Sequence, residues 1–132
     1  MPRILVVDDQ KDVRAMICMV LRVNHFEVVE AATAAAGMQS FCETDFDIAI
    51  VDIFLDGSNG LDLIAALRQR ASDLPVVAVS GTTAFDGTAV SDDLARVIYL
   101  RKPFRAAELI RAVAAARAVV EQPAESAALR RA

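Results

Sequence analysis

The sequence predicts an α/β domain: a doubly wound, five-stranded parallel sheet with helices on both faces. Three observations predict it. Apolar runs of strand length recur five times within 132 residues. Most of these runs are continuous rather than alternating, as in strands covered on both faces. Helical patterns lie between them, which implies right-handed crossovers and a parallel sheet.

The elements follow in order. "RILVV", residues 3–7, is the first strand and stops at Asp8 and Asp9. Val13, Met16, Ile17, Val20 and Leu21 then keep the i, i+3, i+4, i+7 spacing of a helix. "FEVVEA", 26–31, is the second strand. Residues 33–43 are alanine-rich, with Thr33 placed as an N-cap and Met38, Phe41 and Cys42 as the heavier apolar groups. "DIAIV" is the third strand and stops at Asp52; a loop bearing glycine and aspartate follows Leu55. Leu61, Ile64 and Leu67 mark a third helix, opened by Ser58 or Asn59. "PVVAVS" is the fourth strand and ends at Ser80.

Residues 82–95 should hold the fourth helix. Gly87 and the β-branched Thr82, Thr83, Thr88 and Val90 lower its propensity, so a short or mobile helix is expected. "VIYLRK", 97–102, is the fifth strand, and Leu109, Val113, Ala116 and Val120 mark the last helix after Pro103. Residues 121–132 are small and polar around Pro123 and read as a short flexible tail. Residues 1–120 then form one domain.

Composition removes several classes. The net charge of −4 argues against direct nucleic-acid binding, which needs a basic surface to displace counterions. Cys18 and Cys42 give neither a disulfide framework nor zinc spacing, and both read as small core or near-core residues. The N-terminal apolar run is too short for a signal peptide, and no stretch approaches the ~20 apolar residues of a membrane span. A cytoplasmic protein with no membrane partner is expected.

Ligands of an open parallel sheet sit at the carboxyl ends of its strands. Asp8 and Asp9 end strand one, Asp52 strand three, Ser80 strand four and Lys102 strand five. Any one of these alone reads as a turn, a cap or a solvated group; their convergence points to chemistry. In the strand order 2-1-3-4-5, strands one and three are neighbours, so the three carboxylates crowd and repel. Mg²⁺ (or Mn²⁺) and the lysine would relieve that, and loss of the Asp52 charge should relieve the metal-free site. The set suits phosphoryl transfer, with a carboxylate attacking phosphorus while metal and ammonium neutralise its oxygens.

With "VVDD", the strand-terminal Asp52, Gly60 in "GLDLI", "VAVSG" and "YLRKPF", the sequence resembles the receiver domain of a two-component response regulator, a CheY-like chain of flavodoxin-like fold. The resemblance covers residues 3–119, and the spacings fit: 43 residues from Asp9 to Asp52, 28 to Ser80 and 22 to Lys102. It implies that Asp52 is the phosphoacceptor. Asp8, Asp9 and Asp52, with the backbone carbonyl of Phe54, would hold Mg²⁺, Asp9 more directly than Asp8. Ser80 would hydrogen-bond the phosphoryl group and Lys102 would pair with it. Lys102–Pro103 would be a cis peptide, and Ser80 and Tyr99 would be the switch residues.

The resemblance further implies a histidine kinase or histidine phosphotransfer protein as phosphodonor. A downstream protein would bind the face made by the fourth helix, fifth strand and last helix. Such a domain is not a turnover enzyme; it catalyses at most its own phosphorylation and slow dephosphorylation. Met1 and the short tail favour a free-standing regulator with no DNA-binding output domain. The alternative is a receiver fragment of a hybrid histidine kinase or larger regulator.

The sequence also departs from the family. Asp56 stands where proline is usual, Phe54 is bulkier than the common residue, and "LARV" replaces a Gly-Ala turn. A phosphohydrolase of the haloacid dehalogenase type would need a second acid where Phe54 stands. A dinucleotide-binding fold would need a glycine-rich turn where "DDQKD" stands.

Overall fold

The computed structural model describes residues 1–81 and 94–131, with side chains described as far as Val120. The elements are β1 (Arg3–Val7), α1 (Lys11–Val23), β2 (Glu27–Ala31), α2 (Ala34–Glu43), β3 (Ile48–Asp52), β4 (Phe54–Leu55), β5 (Ser58–Asn59), α3 (Gly60–Arg70), β6 (Val76–Ser80), β7 (Ile98–Arg101) and α4 (Ala106–Arg131). Five strands form one sheet in the order β2-β1-β3-β6-β7. Every pairing in it is parallel. This is the expected order 2-1-3-4-5 once the short antiparallel pair β4–β5 is set aside.

The continuous apolar runs have a direct cause. Ile4, Val6, Ile48, Ile50, Val77 and Val79 point to one face, where Ile17, Cys18 and Leu21 of α1 and Leu109, Val113 and Ala116 of α4 meet them. Leu5, Val7, Ala49, Val51, Val76 and Ala78 point to the other, against Leu63, Ile64 and Leu67 of α3. Each strand therefore needs apolar residues at successive positions, not alternate ones. Each such valine, leucine or isoleucine, fully buried, contributes roughly 1.5–3 kcal/mol of hydrophobic transfer.

Among the described residues, side-chain caps start two helices. Thr33 accepts a hydrogen bond from the Ala36 amide at 3.0 Å, and Asn59 one from the Leu61 amide at 2.8 Å. Between the two candidate caps of α3, Asn59 is the one used.

The structure differs from the sequence reading in three places. Residues 54–59 form a two-residue hairpin, turned at Gly57 with φ of 74°, instead of a plain loop. Cys42 is exposed rather than near-core, because the last turn of α2 carries it on the side away from the sheet; Cys18 is buried. The backbone of α4 continues to Arg131, through residues read as a tail. Alanine, leucine, glutamate and arginine are strong helix formers and outweigh the proline signal there. The fourth helix expected over 82–95, with Gly87, lies outside the described residues except at Leu94 and Ala95, which lead by a turn into β7. Among the described residues, no helix is long and apolar enough to cross a membrane.

Candidate functional site

The carboxyl edge of the sheet gathers the charged strand ends. Val7 of β1 lies opposite Val51 of β3, so the next residues, Asp8 and Asp52, fall side by side. Both are buried, Asp8 at 1% and Asp52 at 4% exposure. With Asp9 they form a cluster in which one carboxylate oxygen of each lies within 4.8 Å of the others.

Backbone amides hold each acid in place. Asp8 Oδ1 accepts from the Gln10 amide at 2.8 Å, Asp52 Oδ1 from the Phe54 amide at 2.9 Å, and Asp9 Oδ2 from the Asp56 amide at 2.9 Å. The carbonyl of Asp8 accepts from Arg14 Nη1 at 2.7 Å, and Arg14 also pairs with Glu30.

Lys102 enters from the end of β7. Its backbone N–H donates to the Ser80 carbonyl at 2.7 Å, and the Lys102–Pro103 peptide bond is cis. Its Nζ donates to Asp52 Oδ2 at 2.8 Å and to Gln10 Oε1 at 2.9 Å, and lies 3.4 Å from Asp8 Oδ2. Burial works to lower the pKa of this ammonium, but the hydrogen bond and charge of Asp52, with the charge of Asp8, outweigh it. The net direction is above the ordinary lysine value.

Asp8 shows the opposite balance. Burial raises its pKa most, and the Asp52 charge adds to the rise. The Gln10 amide and Lys102 offset only part of it. Its Oδ2 is buried without a hydrogen bond; Lys102 Nζ, at 3.4 Å, gives it a charge contact only. A buried carboxylate oxygen with no donor, beside two more carboxylates, fits a hard cation that takes oxygen ligands.

A cleft of about 280 Å³ opens over these groups, lined by Asp9, Gln10, Asp52, Phe54, Gly81 and Lys102. The Phe54 side chain stands at its rim, 54% exposed. Ser80 is buried at the end of β6, next to the lining residue Gly81. Tyr99 is not in the lining; it sits on β7 opposite Ala78, 38% exposed.

Two participants had little or no functional signal in the sequence. Gln10 is a neutral residue at a helix start, where polar residues are ordinary. Gly60 is readable as a motif letter but not as a spatial need. A Cβ there would lie 2.0 Å from the Asp52 carbonyl oxygen, so the start of α3 abuts the end of β3.

The family model described as the response regulator receiver domain matches residues 4–114. The transcriptional regulatory protein PrrA of Mycobacterium tuberculosis is 36% identical over 114 residues, covering 86% of this chain and 49% of PrrA. The chain thus spans about half the length of the curated relatives it matches. The crystal structure of NtrX from Brucella abortus superposes with a TM-score of 0.83 at 30% identity, covering 98% of this chain and 30% of NtrX. That of the response regulator protein TrrA from Thermotoga maritima, in complex with Mg²⁺ and BeF, gives 0.79 at 25% identity, covering 88% and 99%.

Proposed function

This chain belongs to the family of response regulator receiver domains, and on that footing we propose that Asp52 accepts a phosphoryl group from a phosphohistidine donor. Members of the family are signalling domains that receive phosphate from histidine kinases, and phosphorylation and Mg²⁺ binding are typical of them. The observation that carries the reading is Lys102 Nζ at 2.8 Å from Asp52 Oδ2, amid three strand-end carboxylates.

An oxygen of the Asp52 carboxylate attacks phosphorus and forms an O–P bond. The P–N bond to the donor histidine breaks, and its electron pair returns to the imidazole. The Phe54 amide holds Asp52 Oδ1, which fixes the carboxylate plane at the cleft floor. Lys102 follows the transferred group, its ammonium moving from Asp52 towards the phosphoryl oxygens. Ser80 donates its hydroxyl to the same group. Mg²⁺ (or Mn²⁺), held by Asp8, Asp9, Asp52 and the Phe54 carbonyl, would supply the remaining neutralisation of negative charge.

The readout of this state is a protein contact on the side of β7 and α4, with Ser80 and Tyr99 as the residues that respond. A half-exposed aromatic on an edge strand, three residues before Lys102, supports that placement. The chain works in the cytoplasm, beside its kinase or phosphotransfer protein. PrrA's transcriptional role is that of a protein of which this chain spans 49%; for the residues here the proposed output is the protein surface.

Incubation with acetyl phosphate and Mg²⁺, followed by intact mass measurement, tests this. One phosphoryl group is expected on the wild type and none on Asp52→Asn or without Mg²⁺. Uptake by Asp52→Asn at the wild-type rate overturns the assignment.

A further inference from the structure

The Lys102 ammonium is shared between two unlike acceptors. Asp52 Oδ2, buried, takes one hydrogen at 2.8 Å; Gln10 Oε1, at the rim of the cleft, takes another at 2.9 Å. Asp8 Oδ2 lies in a third direction at 3.4 Å. An ammonium has three hydrogens and no lone pair. The Gln10 amide must therefore present its oxygen to Lys102, and the hydrogen it takes is withheld from the carboxylates. Gln10 is well placed to hold it. Its own N–H is tied to Asp8 Oδ1 and its carbonyl accepts from the Arg14 amide at the start of α1, so the side chain hangs from a fixed backbone.

We propose that Gln10 is a positioning residue for Lys102: its amide oxygen holds one ammonium hydrogen at the cleft rim, away from the buried carboxylates, and so sets how readily Asp52 attacks phosphorus. The proposal rests on Asp52 being the phosphoacceptor. A hydrogen bond from an ammonium to a carboxylate is strong in a partly dry site and ties up the electrons that must attack. A neutral acceptor at the cleft rim takes one ammonium hydrogen without adding charge to an already acidic cluster. Without that acceptor, the freed hydrogen turns inward to Asp8 and Asp52.

The test follows the ammonium directly. The chain has two lysines, Lys11 and Lys102, so Lys11→Arg leaves one lysine resonance to observe in ¹⁵N-labelled protein. In metal-free, unphosphorylated protein, Gln10→Met should shift the Lys102 ammonium resonance and change its hydrogen exchange with water. Gln10→Glu keeps an acceptor oxygen at the same reach and should keep the exchange close to that of the wild type. Acetyl phosphate should then label Gln10→Met about 3- to 10-fold more slowly than the wild type, because only part of the worth of the charged Lys102–Gln10 bond reaches Asp52.

An unchanged Lys102 resonance in Gln10→Met overturns the contact. A changed resonance with an unchanged phosphorylation rate overturns the positioning role. A wild-type chain that takes up no phosphoryl group overturns the phosphoacceptor reading and the consequence for rate, while the ammonium readout still decides the contact.

Discussion

Asp8 and Asp52 lie side by side, yet their electrostatic surroundings differ. Asp52 has an ammonium 2.8 Å from one oxygen and a backbone amide on the other. Asp8 has an amide on Oδ1 and no hydrogen bond on Oδ2, and burial raises its pKa. The sequence places three acids together but does not say which of them Lys102 serves, so it assigns the relief of crowding to Asp52. The geometry moves the strain to Asp8. Asp8→Asn should therefore stabilise the metal-free protein at neutral pH by about 1 kcal/mol. Asp52→Asn should not, because it strips Lys102 of its shortest partner. The sign follows from linkage. Folding raises the Asp8 pKa above its ordinary 3.8, so the wild type loses stability as pH climbs from there through the raised value. Below 3.8 the carboxyl is neutral in both states and the advantage of the variant disappears. Urea midpoints in EDTA at pH 7 check this, and equal midpoints for wild type and Asp8→Asn would count against a desolvated charge at Asp8.

The elements differ in how much of themselves they write into the sequence. A strand buried on both faces writes each residue as apolar, and β1, β3 and β6 were legible for that reason. The hairpin β4–β5 has two residues per strand and no period to detect; only Gly57 marks its turn. The cap of α3 was legible only as Ser58 or Asn59, because α3 leaves amides to be satisfied at its start; the structure uses Asn59. The approach of α3 to β3 was not legible, since it depends on a distance and not on a pattern. Gly60 donates its N–H to the Ile53 carbonyl at 2.7 Å and leaves no room for a side chain. A methyl group there runs into the Asp52–Ile53 peptide, at the Asp52 carbonyl and at Ile53 Cα, 2.7 Å away. Gly60→Ala must push α3 off the end of β3, at a cost of about 1–3 kcal/mol for overpacking. Because the strand end carries Asp52, phosphorylation should slow as well. A urea midpoint equal to that of the wild type would show that α3 shifts without strain, and that the close approach is not needed.

Across the whole sheet, the site is anchored unequally. On the β1 side, the Asp8 backbone is held twice, by its N–H to the Ala31 carbonyl at 3.1 Å and by Arg14 on its own carbonyl. On the β7 side, Lys102 is held at its backbone by the Ser80 carbonyl and at its side chain by Gln10 and by Asp52, the proposed phosphoacceptor. A phosphoryl group, or beryllofluoride in its place, gives Lys102 new acceptors. The resulting pull acts on the Lys102–Ser80 bond and so on the paired ends of β6 and β7, where Ser80 lies opposite Arg101. Among the described residues, β7 is the edge strand of the sheet, with Tyr99 half-exposed. Strand ends of this kind open at low free energy, so a change of one hydrogen bond is visible in their exchange. Beryllofluoride with Mg²⁺ should therefore change amide protection of residues 98–102 by about 3- to 10-fold. The amides of β2, at the far edge, should change little. Hydrogen exchange measured with and without beryllofluoride is the check. A change confined to residues 10–45 would place the responsive surface on the α1–β2–α2 side, and Lys102 would then not carry the signal.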